Sequence, residues 1–375
     1  MEPPYRTWVE ISRAQIAANF RAVRALVGPA VEVVPVVKAD AYGHGAVEVA
    51  RIVAREGARW LAVSTVEEGV ALREAGIAAR ILVMADTLEA SRAAFLEYAL
   101  TPVVVSLDDL RAFEAWLAGR GAELRYHLKV DTGMGRLGVI GSAEEIARAV
   151  RAAQRLRLEG LMSHLASAAD YASPQTDEQI RRFTELLTAL RRVGIVPAYA
   201  HLASTIPVAY ARREAWFGMV RTGHALYGYV SPARGPAPKP VLEVKPALTW
   251  KARILSVKQV PAGWPIGYGA MFRAPRPMRI GILGVGYADG LPHRLSNRGQ
   301  VIAHGRFAPI LGAVSMDLTT VDLSDCPEAA PGDAVTLIGE EGAARQDAQQ
   351  LARLAGTISY DVLCGIRARV KRVYV

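Results

Sequence analysis

Between residue 12 and about residue 230 the chain repeats one pattern eight times, a short β-branched run followed by a stretch of helical period. That repetition restricts the fold more than any other feature. The strand-type runs are Val33 to Val37, Trp60 to Val63, Ile81 to Met84, Pro102 to Val105, Arg125 to Val130, Leu156 to Met162, Ala198 to Leu202 and Gly218 to Thr222. Helical stretches separate them: Gly45 to Glu56, Val66 to Ala75, Glu89 to Tyr98, Leu107 to Leu117, Ala143 to Ala153 and Thr176 to Arg192, with Ser106 and Ser142 as N-caps. A further helix, Arg13 to Val27, precedes the first strand behind Ser12. Parallel strands alternating with helices in this number close into a (β/α)8 barrel, whose functional loops follow the strand C-termini.

After Tyr229 the texture changes. The segment SPARGPAPKPVLEVKP carries five prolines, which neither a helix interior nor a central strand tolerates. It divides the α/β barrel, residues 12–235, from a mainly β domain made of residues 1–11 and 236–375. Short β-type runs follow at Ala247 to Val257, Arg279 to Val285, Gln300 to Ala303, Ala334 to Ile338 and Ala368 to Val375, and Thr7 to Ile11 is expected to pair with them. A chain of 375 residues has room for two such cores.

Several function classes are disfavoured at once. No uncharged run is long enough to span a bilayer, and MEPPYRTWVE has neither a basic n-region nor an apolar core, so a cytoplasmic protein is expected. The two cysteines, Cys326 and Cys364, read as reduced core or near-core thiols rather than a disulfide framework or metal cluster. The net charge of +9 comes from scattered arginines without an aromatic-interleaved basic patch, which argues against nucleic acid. Lysine is scarce. It occurs only at positions 38, 129, 239, 245, 251, 258 and 371, and a Schiff base needs one.

The motif VVPVVKADAYGHG runs a hydrophobic strand directly into Lys38, where barrels place catalytic groups. Desolvation at a strand end favours the neutral amine that condenses with a carbonyl, although a lysine can equally snorkel from that position to solvent. The loops after strands seven and eight read HLASTIP and RTGHALYGY, and barrels often bind phosphate there. Ser204 and Thr205 offer hydroxyls and amides, and Gly223 and His224 offer close backbone approach. With Lys38 they outline a cofactor held by its phosphate and aldehyde ends on one barrel mouth.

Further motifs make a resemblance specific: HLKVDTGMGRLG at 127–138, GLMSHLASA at 160–168, MVRTGHALYGY at 219–229, IGYGAMF at 266–272, GVGYADG at 284–290, GAVSMD at 312–317 and TISYDVLCGIRARVKRVY at 357–374. Together with VVKADAYGHG, they resemble the motifs of the alanine racemase family, in the same order and over essentially the whole chain.

The resemblance implies a homodimer with shared active sites, using pyridoxal 5'-phosphate (PLP) on Lys38 to interconvert L- and D-alanine by a two-base mechanism through an external aldimine. Lys38 acts on one face and Tyr268 on the other, as racemisation requires when a proton leaves one side and returns on the opposite one. His164 and Arg221 form a hydrogen-bonded chain to that tyrosine, and Arg221 also donates to the pyridine nitrogen. Because arginine keeps its proton, the ring stays a moderate electron sink. Tyr42, Ser204, Thr205, Gly223, His224 and Tyr360 match phosphate-binding positions. Arg136 and the Met316 amide match substrate-carboxylate contacts. Lys129 matches a position often N-carboxylated, and Tyr287 and Tyr360 match residues narrowing the access corridor. No metal is implied.

The chain departs from the family pattern at two positions: Ser204 stands where asparagine is usual, and Ala313 where arginine is common. Supply of D-alanine for peptidoglycan is the expected role. The alternatives are a racemase of serine or another small amino acid, a decarboxylase with barrel and β domain, and a non-catalytic PLP-binding protein. Arg221 speaks against the decarboxylase, which uses an acidic residue at that place, and Tyr268 against a binding-only role.

Overall fold

The structure is a computed structural model that describes residues 3–375. Its chain clusters into two compact units, one formed by Ile16–Ala41 and Ala46–Lys245, the other by the residues through Gln15, Tyr42–Gly45 and Pro246–Val375.

Strand β1, Thr7–Ile11, belongs to the second unit, and the first is built on eight parallel strands. These are β2 (Glu32–Pro35), β3 (Trp60–Val63), β4 (Arg80–Val83), β5 (Thr101–Val104), β6 (Leu124–Lys129), β7 (Leu156–Met162), β8 (Tyr199–His201) and β9 (Met219–Thr222). Strands β3 to β8 form one sheet in sequence order, and β2 pairs with β9. The sheet is closed by Val37 N–H donating to Ala62 O at 2.9 Å on one side and Arg221 N–H to Ala203 O at 3.0 Å on the other. The expected barrel and its strand order are therefore present. Strands β3 and β5 are buried throughout, as continuous apolar runs between helices and barrel interior must be.

The helices follow the expected caps. Ser106 Oγ accepts from Asp109 N at 2.9 Å, and Ser142 forms a reciprocal capping box with Glu145. Ser12 Oγ accepts from Gln15 N at 3.2 Å, starting the helix Arg13–Val27. One stretch is shorter than its sequence pattern suggests: the helix after β4 spans Arg92–Glu97, preceded by a 3-10 turn at Glu89–Ser91.

The second unit is a nine-stranded sheet organised on the long strand β10, Leu248–Val260. β1 pairs antiparallel with β10, as expected of that N-terminal run, and parallel with the C-terminal strand Lys371–Tyr374. A two-stranded hairpin joins β11 (Pro265–Ile266) to β12 (Phe272–Arg273), resting on a cluster of Val260, Ile266, Ala274, Met278, Ile280 and Leu311. Its tip carries Tyr268. The expectation of core or near-core thiols fails for one cysteine: Cys326 is buried, but Cys364 is exposed, because in the helix Ser359–Gly365 it is Val362 and Leu363 that face inward.

Candidate active site

Strand β2 ends at Pro35, and the chain then makes a turn of left-handed helix. Ala39, Asp40, Ala41 and Tyr42 all have φ between 51° and 54°. L-residues pay about 1–2 kcal/mol each for that conformation, so the turn must be held from outside. Ala39 N–H donates to Glu68 Oε1 at 2.6 Å, Asp40 Oδ1 accepts from Ala46 N at 2.8 Å, and Ala41 N–H returns to Val37 O. Glu68 Oε2 simultaneously accepts from Ser64 N at 2.7 Å, so one carboxylate fixes both the following helix and this turn. Lys38, half-buried, is the first residue of the turn.

Three further basic groups of the barrel unit lie at or near the C-terminal ends of strands. Lys129 closes β6, His164 follows β7 and Arg221 lies within β9. Burial, then the charges of Arg136 and Arg221, lower the Lys129 ammonium to about 8. Burial, then Arg221, Arg136 and Lys129, hold His164 at about 3, so its imidazole is neutral. Lys38 contributes to both shifts, which places five basic groups within electrostatic reach of one another. Asp131 is turned to the backbone instead: although burial pushes it up, N–H donors of Gly133, Met134 and Arg136 outweigh this and keep its carboxyl below the usual range. It shapes the loop that carries Arg136. A mouth so rich in cations suits a ligand bearing phosphate and carboxylate.

Arg221 is only 3% exposed, and its donors are nearly all committed. Nη1 donates to His201 Nδ1 at 2.8 Å and His201 O at 3.0 Å, while Nη2 donates to Ser163 O at 2.7 Å and lies 3.4 Å from His164 Nδ1. Nε–H is the donor that no described residue takes up. With its pKa lowered by burial to about 10, the guanidinium still keeps its proton at neutral pH. Since His164 Nδ1 accepts from Arg221, the His164 proton sits on Nε2, free to be donated onward.

After β8 and β9, the amides of Ser204, Thr205 and Gly223 have no acceptor among the described residues, whereas Thr205 Oγ1 accepts from Ala225 N at 3.2 Å. His224 is buried and stacked on Tyr229. Unclaimed amides at strand C-terminal ends are the donor set a phosphate needs. This donor set, a half-buried lysine and the free Nε–H of Arg221 fit a phosphorylated pyridine aldehyde.

In the second unit, Tyr268 is 76% exposed and sits between Gly267 and Gly269, both in the left-handed region. A Cβ on Gly267 would approach Ala313 N to 3.0 Å, so the Tyr268 loop lies directly on Ala313. Tyr287 N–H donates to Ser315 O and Ala288 N–H to Met316 O, pairing the loops of Tyr287 and Met316. Met316 N–H has no acceptor among the described residues. Tyr42 and Tyr360 bring their rings to 5.9 Å.

The alanine racemase N-terminal domain family matches residues 11–232 and the C-terminal domain family residues 247–374. The chain is 42% identical to an alanine racemase of Symbiobacterium thermophilum, over 98% of this chain and 97% of that one. The chain belongs to the alanine racemase family. Among solved structures, the alanine racemase of Streptomyces lavendulae superimposes with a TM-score of 0.92 at 34% identity, covering 100% of this chain and 98% of that one. That of Bartonella henselae, described with covalently bound pyridoxal phosphate, gives a TM-score of 0.88 at 27% identity, covering 99% and 100%.

Two features of this family member escaped the sequence reading. Nothing in KADAY announces a left-handed turn, since it contains no glycine. The other is the alignment of His127 with His201, of which the sequence signals only that His127, two residues before Lys129 in β6, shares a strand face with it.

Proposed function

We propose that this protein is an alanine racemase that carries PLP on Lys38 and interconverts L- and D-alanine. The observation that carries the reading is the pairing of a neutral His164 with a charged Arg221, whose Nε–H remains free, in the same cationic barrel mouth as Lys38. When bound, PLP supplies an electron sink that makes the α-proton of the amino acid acidic.

The residues of the chain then divide the work. Lys38 anchors the cofactor and afterwards takes or returns the α-proton on one face. Tyr268 does so on the other. A phenol is a poor base near neutrality, and His164, protonated on Nε2 and neutral overall, stabilises its phenolate by donating a hydrogen bond. Arg221 keeps its own proton and would offer Nε–H to the pyridine nitrogen of the bound cofactor, leaving it a moderate electron sink. Amides of Ser204, Thr205, Gly223 and His224, with the hydroxyls of Tyr42 and Tyr360, hold the phosphate. Arg136 and the Met316 amide hold the substrate carboxylate. Tyr287 and Tyr360 narrow the approach.

Lys129, depressed to about 8, has the neutral amine fraction that carbamate formation with carbon dioxide requires. The carbamate would place an anion against Arg136 and remove one cation from a crowded mouth.

Tyr268 acts in this reading from the second subunit of a homodimer. Exposed apolar residues on its own hairpin, Trp264 and Met271, support such a covered surface. No described helix is long and apolar enough to cross a membrane. A cytoplasmic enzyme supplying D-alanine to the cell wall is the role we assign.

The test is a racemisation assay of the PLP-loaded protein over a panel of amino acids. Alanine should be turned over fastest. Preference for serine would reassign the substrate, and release of carbon dioxide from the amino acid would replace racemisation by decarboxylation.

A further inference from the structure

We infer that Glu159, His127 and His201 are positioning residues for Arg221, forming a relay of two neutral imidazoles that links a buried carboxylate to the guanidinium. The inference rests on the reading of Arg221 as the partner of the cofactor ring.

The four side chains form one line through the barrel interior. Glu159 Oε2 lies 3.7 Å from His127 Nε2, an electrostatic contact beyond hydrogen-bond reach, whereas His127 Nδ1 lies 2.8 Å from His201 Nε2 and His201 Nδ1 2.8 Å from Arg221 Nη1. Both imidazoles are fully buried. At the far end Arg80 grips Glu159 through two bonds, at 2.8 and 2.5 Å, Arg125 adds a third contact at 3.3 Å, and Glu159 is held at about 2 against the opposing effect of burial.

Only one arrangement of protons satisfies this line. Arg221 Nη1 can only donate, so His201 Nδ1 must accept and its proton must reside on Nε2. His201 Nε2–H then donates to His127 Nδ1, which leaves the His127 proton on Nε2, facing the carboxylate. The opposite tautomers would set donor against donor at Arg221 and a lone pair against the anion at Glu159. Adding a second proton to either ring is opposed by burial in both cases.

The charges around Arg221 explain the need for such a line. The groups that bear on His164 and Lys129 alongside Arg221 include Arg136 and Lys38, both of which oppose further positive charge, and His164 is neutral. Apart from the two histidine nitrogens, the direct acceptors of Arg221 are the carbonyls of Ser163, His201 and Leu202. Glu159 is the carboxylate reached through the relay, and each imidazole polarised by it becomes a better acceptor for the next donor. Arg221 is thereby held as a cation with both Nη groups committed and Nε–H left over.

Neutron diffraction from deuterium-exchanged crystals of the PLP-loaded enzyme reads these protons without relying on turnover. The expected result is deuterium on Nε2 and none on Nδ1 in both His127 and His201. Deuterium on Nδ1 of either ring overturns the relay. Glu159→Gln keeps an acceptor but removes the charge. Its kcat should fall about tenfold, the low end for partners one shell removed from a reacting site. KM should stay within about twofold. Glu159→Asp should recover most of kcat. An unchanged kcat in Glu159→Gln contradicts the proposal. The expected deuterium pattern in an enzyme that racemises nothing would refute the proposed function while supporting the relay.

Discussion

Gly160 lies beneath the ring of His127, so close that a Cβ at position 160 would fall 2.5 Å from Nδ1. The two residues are paired across β6 and β7 just after a register shift, and the missing side chain makes room for the imidazole. Gly160→Ala must therefore displace His127 or the strand. Overpacking of this kind costs about 1–3 kcal/mol, and the urea midpoint of the variant should fall accordingly. A midpoint equal to that of the parent would mean that the ring is not confined there.

Lys38 is the predicted point of cofactor attachment, and the scarcity of lysine makes the prediction sharp. Borohydride reduction of the PLP-loaded protein, followed by peptide mapping, should label the peptide containing Lys38. Label at Lys129 or at any of the other lysines would remove the basis of the assignment.

The buried histidines predict acid sensitivity. His127, His164 and His201 all have depressed values in the folded state, through burial first, so on unfolding each takes up a proton as soon as the pH is below the ordinary histidine value of about 6.5. The unfolded chain binds more protons, and stability falls as pH drops below 6.5. For His164 this loss continues to about 3, where the folded state is protonated too. Glu159 adds a second loss below its ordinary range of about 4.5, as pH approaches its folded value of about 2. Urea midpoints of the apoprotein between pH 7 and pH 5 should decline, and His164→Asn should flatten the slope. A midpoint independent of pH over that range would be inconsistent with neutral imidazoles at His127, His164 and His201.

Shared sites make a prediction about mixed subunits. Lys38→Ala and Tyr268→Phe proteins are each expected to be nearly inactive. After verified exchange of subunits, the heterodimer should regain one competent site if each site draws Tyr268 from the second chain. No recovery would place both residues of a site in a single chain.

Much of this was legible in the sequence because barrel geometry is written in short-range patterns. Several strands are short apolar runs, as at Trp60–Val63, and several helices start behind a serine whose side chain accepts from the residue three positions later, as at Ser142 and Glu145. Lys38 could be placed at a strand end for the same reason. The left-handed turn after it was not legible, because it is imposed by Glu68, nearly thirty positions away, rather than by the residues that adopt it. Nor was the histidine line, which joins side chains from four different strands whose alignment exists only once the barrel is closed. The misplacement of Cys364 has a smaller cause, one step of rotation on a short helix.

The two-base assignment is tested most directly by isotope exchange in the Tyr268→Phe enzyme. Removing a general base lowers rate by about a hundredfold to ten-thousandfold, while Lys38 and the cofactor remain. With Lys38 serving the D face and Tyr268 the L face, proton NMR in deuterium oxide should show racemisation lost but the α-proton of D-alanine still exchanging faster than that of L-alanine. Equal loss of exchange from both enantiomers would contradict the assignment, leaving Tyr268 a structural residue or one base serving both faces.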